Sequence, residues 1–403
     1  MAALYILHLI LLWLLLDGTL AFLFNDAMHR IGPGTDFWAY YDAANQWRQG
    51  NGIYGHGPGY GFRYHPLTAI ILFAPLTFFD DQVSYSIWVV INELMLLLDL
   101  VLLRKLFSSR RDYIIASVAL LLFSPLLLEL FMGNASFVVA SMLLAAFYYY
   151  HHGVVGKFTL VATVSVLLKP VALVFLPLLL LRKQVKTALV LLIVPLVSAI
   201  PYFVIDPVGW RHFASANFGQ LMDAGWHIHA GNQGLWCLAT NLIARLSGVP
   251  PHVMTDPGQL SMVLQAAIHA LPVLLGVLSL WMTWRLRDNW RALVFIWSVT
   301  YLLGYKDVWE HSYSFIILGL VFLYLSRTVD SRLILICTVG LALPTAFALY
   351  DVSLPPGYHD PESYWPLGIA ALHHSTKVVW LLILYVACLW QSLSTRSVRS
   401  GSA

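Results

Sequence analysis

Ten stretches of this chain stay apolar for most of the length that a helix needs to cross a bilayer: roughly 4–24, 83–103, 112–131, 135–150, 187–205, 261–284, 291–305, 312–326, 333–350 and 375–392. A hydrocarbon core of about 30 Å and a rise of about 1.5 Å per residue set that length at about 20 residues. The shorter runs span only with little tilt or with help from neighbours. With 59% hydrophobic and only 11% charged residues, an ordinary soluble domain is excluded. The 15 Trp suit a polytopic protein with aromatic side chains at two interfaces. Three cysteines, Cys237, Cys337 and Cys388, draw neither a disulfide framework nor a CxxC metal site. The first run carries Asp17 and lacks a basic leader and a small-residue cleavage site, so it is expected to be a retained helix. The expected fold is an all-α polytopic integral membrane protein, one domain over 1–403. It has about ten transmembrane helices, re-entrant or half-helices and an outer interfacial helix.

Three further apolar stretches, 66–79, 158–181 and 235–247, are expected to be half-helices. The second is interrupted by Lys169-Pro170 and flanked by Lys157 and Arg182-Lys183, so a hairpin with the Lys-Pro at its tip returns the chain to the side it left. Fifteen of the 23 Lys and Arg lie in one alternating set of connections: 104–111, 151–157, 182–186, 285–291, 327–332 and the tail after 393. The positive-inside rule makes that set cytoplasmic, with both termini, and puts the loops 25–65, 206–234, 306–311 and 351–374 on the outer face. Function is therefore sought on the outer face, and the tail 393–403 is assigned to the cytoplasm. No internal repeat of the kind common in transporters is visible.

In the loop 25–65, Phe37, Tyr40, Ala44 and Trp47 fall on one helical stripe, which predicts an aromatic helix in the outer interface beginning at Thr35 or Asp36. Asp36 is then either an N-cap or a carboxylate held where the polar head of an amphiphilic substrate meets the membrane. Arg63, ahead of the half-helix, either snorkels to headgroups or forks onto phosphate oxygens. Lys169, within a long apolar segment, needs a buried acid (Asp17, Glu93, Asp99 or Glu129) or a wet cavity. His227 and His229 form a His-x-His pair without further ligands at recognisable spacing, so no metal site is drawn. The short turn Tyr305-Lys306-Asp307-Val308-Trp309-Glu310-His311 carries more ionisable and aromatic groups than a turn requires. Asn134-Ala135-Ser136 matches a glycosylation sequon, but so short a turn is a poor acceptor. The pairs His151-His152 and His373-His374 have no partners legible in the sequence.

The order of motifs resembles glycosyltransferase family 87. The resemblance is carried by Asp36-Phe37 with Tyr41 and Ala43, Tyr64-His65-Pro66, Gly133-Asn134, Leu168-Lys169-Pro170, Asn232-Gln233-Gly234-Leu235 and Trp309-Glu310-His311, over about residues 32–320. It implies a membrane enzyme of the GT-C fold. Its reaction would be inverting transfer of a hexose, usually mannose, from a polyprenyl-phosphate sugar to a lipid-linked or other glycan acceptor on the outer face. It also implies Asp36 as general base and a prokaryotic plasma-membrane enzyme of cell-envelope glycolipid synthesis. The leaving phosphate needs charge stabilisation more than protonation, so Arg63, Lys169 and His311 are its expected partners and neither metal nor cofactor is required. Tyr40, Tyr41, Tyr64, His65, Asn134, Asn232, Gln233, Lys306, Trp309 and Glu310 are expected around sugar and acceptor, and no nucleic acid partner is expected. The chain departs from the family at His65, at Asn134-Ala135-Ser136 and at Glu310, where the family shows Tyr-Pro-Pro, Gly-Gln-x-Asn and paired His. Those changes bear on sugar and acceptor more than on reaction type.

Rival classes are a transporter or flippase of a lipid-linked sugar using the buried acids and Lys169 as an ion path, a hydrolase with two flanking carboxylates, and an inactive scaffold. The outward-only aromatic loops, the absence of a spaced carboxylate pair, and Lys169 with the crowded 305–313 turn weigh against them in that order.

Overall fold

The computed structural model describes residues 1–24, 32–56, 61–219, 231–248, 262–345 and 367–394. His227, His229 and most of the expected tail therefore lie outside the described residues, as do parts of the expected outer loops. Sixteen α-helices are present among the described residues, and no strand. They are α1 (Ala2–Leu16), α2 (Thr35–Arg48), α3 (Asp81–Leu106), α4 (Arg110–Leu121), α5 (Ser124–Met132), α6 (Ser136–His151), α7 (Val155–Leu168), α8 (Leu176–Leu181), α9 (Val185–Ile205), α10 (Pro207–Ala214), α11 (Leu235–Leu246), α12 (Met262–Arg285), α13 (Trp290–Gly304), α14 (Ile316–Ser326), α15 (Ser331–Ala342) and α16 (Leu367–Ser394).

By length and composition, three of the described helices are fit to cross a membrane: α3, α9 and 368–394 of α16. The bent pair α4–α5 makes a fourth, and eight further apolar helices run 10–17 residues. Of the ten apolar runs in the sequence, some of them short, the described residues thus form a few long helices and more short ones. On α9 the side chains Leu196, Ile200 and Val204, one turn apart, are 69%, 55% and 71% exposed. An apolar stripe of that kind on a helix of this length fits a face turned toward hydrocarbon.

Proline and glycine decide where the long runs break. The first run stops at Leu16, because Asp17 and Gly18 (φ 91°) end the helix. The run 112–131 divides between α4 and α5 with a bend of 44°. Pro125 has no N–H for the carbonyl of Leu121. His8 supplies the missing donor: its Nδ1 lies 2.8 Å from that oxygen, while its Nε2 lies 3.0 Å from Glu93 Oε1. Tyr5 donates to the other oxygen of Glu93 at 2.7 Å. A polar clamp between α1, α3 and α4 therefore braces the bend that aims α5.

The chain from 155 to 181 is the hairpin that the Lys-Pro interruption predicts. At one end of α6, the Tyr150 ring packs at a tilt against Phe158 (centroids 5.2 Å) and its hydroxyl accepts from Arg182 Nε at 3.2 Å. At the opposite end of α6, Lys169 Nζ reaches Ser136 Oγ at 2.5 Å. Both arms thus start and finish at the Tyr150 end, and the tip reaches the Ser136 end. Lys169 is extended (φ −155°, ψ 127°), as a residue before proline is pushed to be. The half-helix 66–79 is a wide turn, Thr68–Phe73, running into a 3-10 turn, Ala74–Phe78.

The basic connections meet at the Tyr150 end. Lys105 lies over Tyr148, Lys157 over Tyr149, and Arg291 reaches His151 at 3.4 Å. The main core fills the middle, around Phe147, Phe295, Leu302, Ile316 and Phe322. A separate aromatic cluster, including Phe37, Tyr40, Phe73, Tyr85 and Trp88, packs α2 onto α3 and the 68–78 turns. All three cysteines are buried, and none forms a disulfide among the described residues.

Replacing His8 by Leu leaves the Leu121 carbonyl and Glu93 without their buried partner, a loss of about 1–3 kcal/mol. Thermal unfolding of the detergent-solubilised protein is expected to shift down, and a transition at the native temperature would remove the clamp from the account.

Candidate active site

Helix α2 is started by Gly34 and Thr35, not by Asp36. Gly34 adopts φ 72°, a left-handed conformation that glycine takes without strain, and Thr35 Oγ1 accepts from Gly32 N at 2.8 Å and donates to Gly32 O at 2.7 Å. Asp36 caps nothing. Its Oδ2 accepts a hydrogen bond of 2.7 Å from Asn134 Nδ2, and Oδ1 takes no hydrogen bond among the described residues. The side chain is 29% exposed.

Asn134 sits just past the end of α5. Gly133 closes that helix with φ 70°, and its backbone touches α2 so closely that a Cβ there would lie 2.7 Å from Phe37 Cβ. Gly34 N donates to Phe131 O at 2.8 Å, and Trp88 Nε1 to Gly133 O at 2.8 Å, which fixes the turn against α2 and α3.

The amide of Asn134 has only one orientation that satisfies its neighbours. Its Oδ1 accepts from Ser136 N (3.0 Å), Ser136 Oγ (3.0 Å) and Lys169 Nζ (3.2 Å). The backbone N–H and the ammonium are donors only, so this atom is the oxygen. Nδ2 then faces Asp36 Oδ2 and, at 3.2 Å, His311 Nε2. With Asn134 donating, His311 Nε2 is an acceptor and the ring proton belongs on Nδ1. His311 Nε2 is also 3.8 Å from Asp36 Oδ2.

Lys169 is therefore held at the hairpin tip by Asn134 and Ser136, with its ammonium 5.5 Å from the centre of the Tyr64 ring. Of the four acids considered as its partner, Glu93 is held by His8 and Tyr5, Asp99 by Ser141 at 2.8 Å and Asp17 by Thr19 at 3.0 Å. Glu129 is the one on which the Lys169 charge acts. Its Oε1 accepts from Phe137 N at 2.8 Å, in the first turn of α6.

An aromatic wall adjoins these groups. Tyr40 lies between Tyr64 (centroids 5.1 Å, planes at 16°) and Phe73 (4.7 Å, 12°). Arg63 stands in the electrostatic field of Tyr64, Tyr305 and Asp307, and Tyr305 in turn feels both Arg63 and Lys169. Both cations thus lie within electrostatic reach of Tyr305.

The residues 231–234 frame the site. Asn232 bridges to Trp309, its Nδ2 donates to Lys306 O at 2.6 Å and its Oδ1 accepts from Gly234 N at 2.8 Å and Val308 N at 3.2 Å. Gln233 N donates to Val308 O at 2.7 Å, and Tyr313 donates to Gln233 O at 2.6 Å. The polar groups of Asn232 named here thus tie the 305–311 turn to the chain before α11. Lys306 Nζ lies 5.7 Å from the Trp236 ring centre.

The structure brings Asp36, Asn134, Lys169 and His311 into one cluster, with Tyr40, Tyr64 and Arg63 beside it. Three residues expected at sugar or acceptor are turned elsewhere. His65 Nε2 lies 2.9 Å from Pro195 O and its Nδ1 accepts from Leu67 N, tying the 68–78 turns to α9. Tyr41 donates to Phe79 O at 3.1 Å. Glu310 is 1% exposed and pairs with Lys377 at 2.9 Å in the interior, because a 3-10 turn points successive side chains about 120° apart. Ser136 and Lys377 were not singled out from the sequence. For Ser136 the signal was there: Asn-x-Ser, discounted as a glycosylation sequon, is also the pattern of an Asx turn, in which the Asn oxygen accepts from the backbone two residues on.

A sequence model of glycosyltransferase family 87 matches residues 62–305, more than half of the chain. No curated protein matches. The protein belongs to glycosyltransferase family 87, so the clustered side chains are those of a membrane glycosyltransferase. Lys169 and Asn134 lie inside the matched range, whereas Asp36 and His311 lie outside it.

Gly133→Ala places a Cβ against Phe37 and forces a left-handed conformation that costs about 1–2 kcal/mol by itself. The unfolding temperature is expected to fall, with a further loss in Gly133→Val. Native stability in both variants would show that the turn does not press on α2.

Proposed function

We propose that the protein is an inverting hexosyltransferase of the GT-C type. It moves a sugar, mannose being the first choice, from a polyprenyl-phosphate donor to a lipid-linked or cell-envelope glycan acceptor on the outer face of a prokaryotic plasma membrane. The observation that carries the reading is the Asn134 amide, which holds a carboxylate, an ammonium and an imidazole together at one end of the bundle.

The acceptor hydroxyl oxygen attacks the anomeric carbon, and the bond from that carbon to the phosphate oxygen breaks with its electron pair leaving on the phosphate. The hydroxyl proton passes to Asp36, whose Oδ1 takes no hydrogen bond from the described residues and whose Oδ2 is oriented by Asn134. The leaving group departs as a polyprenyl phosphate, whose charge Lys169 and Arg63 stabilise from positions set before the reaction starts. His311, holding its lone pair beside Asp36, borders the proton-accepting side rather than serving as a fixed cation. Tyr40, Tyr64, Trp309 and Lys306 lie on the sugar and acceptor side, and the lipid tail rests against the apolar helices. No metal or cofactor enters the proposed steps. The chain crosses the membrane about ten times when the shorter apolar helices are counted, with both termini in the cytoplasm and the basic Tyr150 end on that side.

Purified protein assayed with a panel of polyprenyl-phosphate sugars and lipid glycan acceptors is expected to lose transfer by about two orders of magnitude or more in Asp36→Asn, with donor binding kept. Transfer that survives the substitution would move the base elsewhere. Lys169→Met is expected to weaken donor binding as well as turnover; unchanged donor affinity would take the phosphate away from the hairpin tip. Reporters fused at 108 or 288 are expected on the cytoplasmic side and those at 55 or 220 on the other, and the reverse pattern would end the outer-face mechanism.

A further inference from the structure

We infer that Lys377 is a positioning residue of the active site: through Glu310 it fixes the imidazole of His311 against Asn134 and Asp36. The inference rests on the Asp36 cluster being the transfer site.

Lys377, on α16, is 0% exposed. Its ammonium contacts Glu310 Oε1 at 2.9 Å, Ser124 Oγ at 3.2 Å, Leu341 O at 2.7 Å and Leu343 O. The last two are carbonyls at the end of α15, which no further helical turn satisfies. Glu310 is as fully engaged. Its Oε1 accepts from Ser124 Oγ at 2.9 Å, and its two oxygens lie 3.2 and 3.0 Å from Thr345 N. One ion pair thus joins the start of α5, the 310–315 turn, the end of α15 and α16.

Two of these segments carry the site. Glu310 is followed directly by His311, so pinning the carboxylate inward sets the direction of the next side chain in the 3-10 turn. Ser124 opens α5, and the far end of that helix is Gly133-Asn134. The pair therefore holds both members of the His311–Asn134 contact from behind, at a place where neither charge reaches substrate. A buried pair of this kind is weak grounds for stability, because apolar residues of similar volume often serve as well. Its worth here is in orientation.

The test is made on the full-length protein in detergent, labelled with nitrogen-15 in histidine, with the His311 signals identified by their loss in His311→Gln. In the native chain the signals are expected to show the ring proton on Nδ1, with Nε2 accepting. Lys377→Met is expected to shift them toward a tautomer mixture. In the transfer assay it is expected to lower kcat about tenfold or more with KM within about threefold, as displaced catalytic geometry does. Lys377→Arg, which keeps the charge, is expected to retain most of both properties. Leu381→Ala, buried one turn further along α16, lowers stability without touching Glu310 and is expected to leave the His311 signals in place. If Lys377→Met does not fold, Ser124→Ala is measured instead, with a smaller shift in the same direction expected.

His311 signals unmoved by loss of Lys377, or moved equally by Leu381→Ala, would overturn the inference. A native protein that transfers nothing while its His311 signals respond to Lys377 would overturn the functional reading and support the positioning role.

Discussion

A neutral side chain, the amide of Asn134, holds together groups that would otherwise pair directly. Its oxygen gathers Lys169 and Ser136, and its nitrogen gathers Asp36 and His311. Were the ammonium bonded straight to the carboxylate, the ion pair would lower the basicity of Asp36 and occupy its oxygens. An interposed amide orients both charges while leaving the carboxylate an oxygen for another partner. The surrounding architecture serves to deliver that amide: the bend before Pro125, the left-handed Gly133, the aromatic packing of α2, and the hairpin tip that lifts Lys169 from the other side.

Two of the acids inside the bundle are satisfied within a short reach, Glu93 by His8 and Tyr5 and Glu310 by Lys377 with Ser124 and Thr345, whereas Asp99 has Ser141 on Oδ2 and no hydrogen bond to its buried Oδ1 among the described residues. Local satisfaction of the first kind makes a buried acid tolerable in a low-dielectric interior. The transporter reading is disfavoured by the match to a glycosyltransferase family. The cluster around Asn134 differs in that two of its members, Asp36 and Lys169, stay partly exposed.

Much of this was legible in the residues. Apolar runs gave the membrane helices, and the Lys-Pro interruption with basic flanks gave the hairpin. The aromatic stripe gave α2 with Asp36 in its first turn. What was not legible depends on contacts remote in sequence. The bend in 112–131 needed Pro125 to be read as an orphaned carbonyl at Leu121, and nothing local says that His8 fills it. Glu310 and His311 are adjacent and equally polar, and only the rotation of a 3-10 turn sends one inward and the other to the site. Lys377 lies in an apolar run of sequence, as Lys169 does. Without knowing which end of the bundle each one occupies, the sequence assigns interest to the one beside a proline.

On the proposed function, the hairpin would set the depth at which the chemistry takes place. Its first arm, the 14 residues of α7, rises about 21 Å at about 1.5 Å per residue, short of a hydrocarbon thickness of about 30 Å. With the Tyr150 end at the cytoplasmic edge, as proposed, an ammonium at that tip would stand below the opposite headgroup plane, where permittivity is well under that of water and its attraction for an anion is correspondingly stronger. A donor whose phosphate is already tethered to a lipid approaches such a point sideways from the bilayer, without first being lifted into solution. A water-soluble sugar phosphate would have to shed its hydration to reach the same place, so under the proposed function the depth of Lys169 would favour membrane-borne substrates.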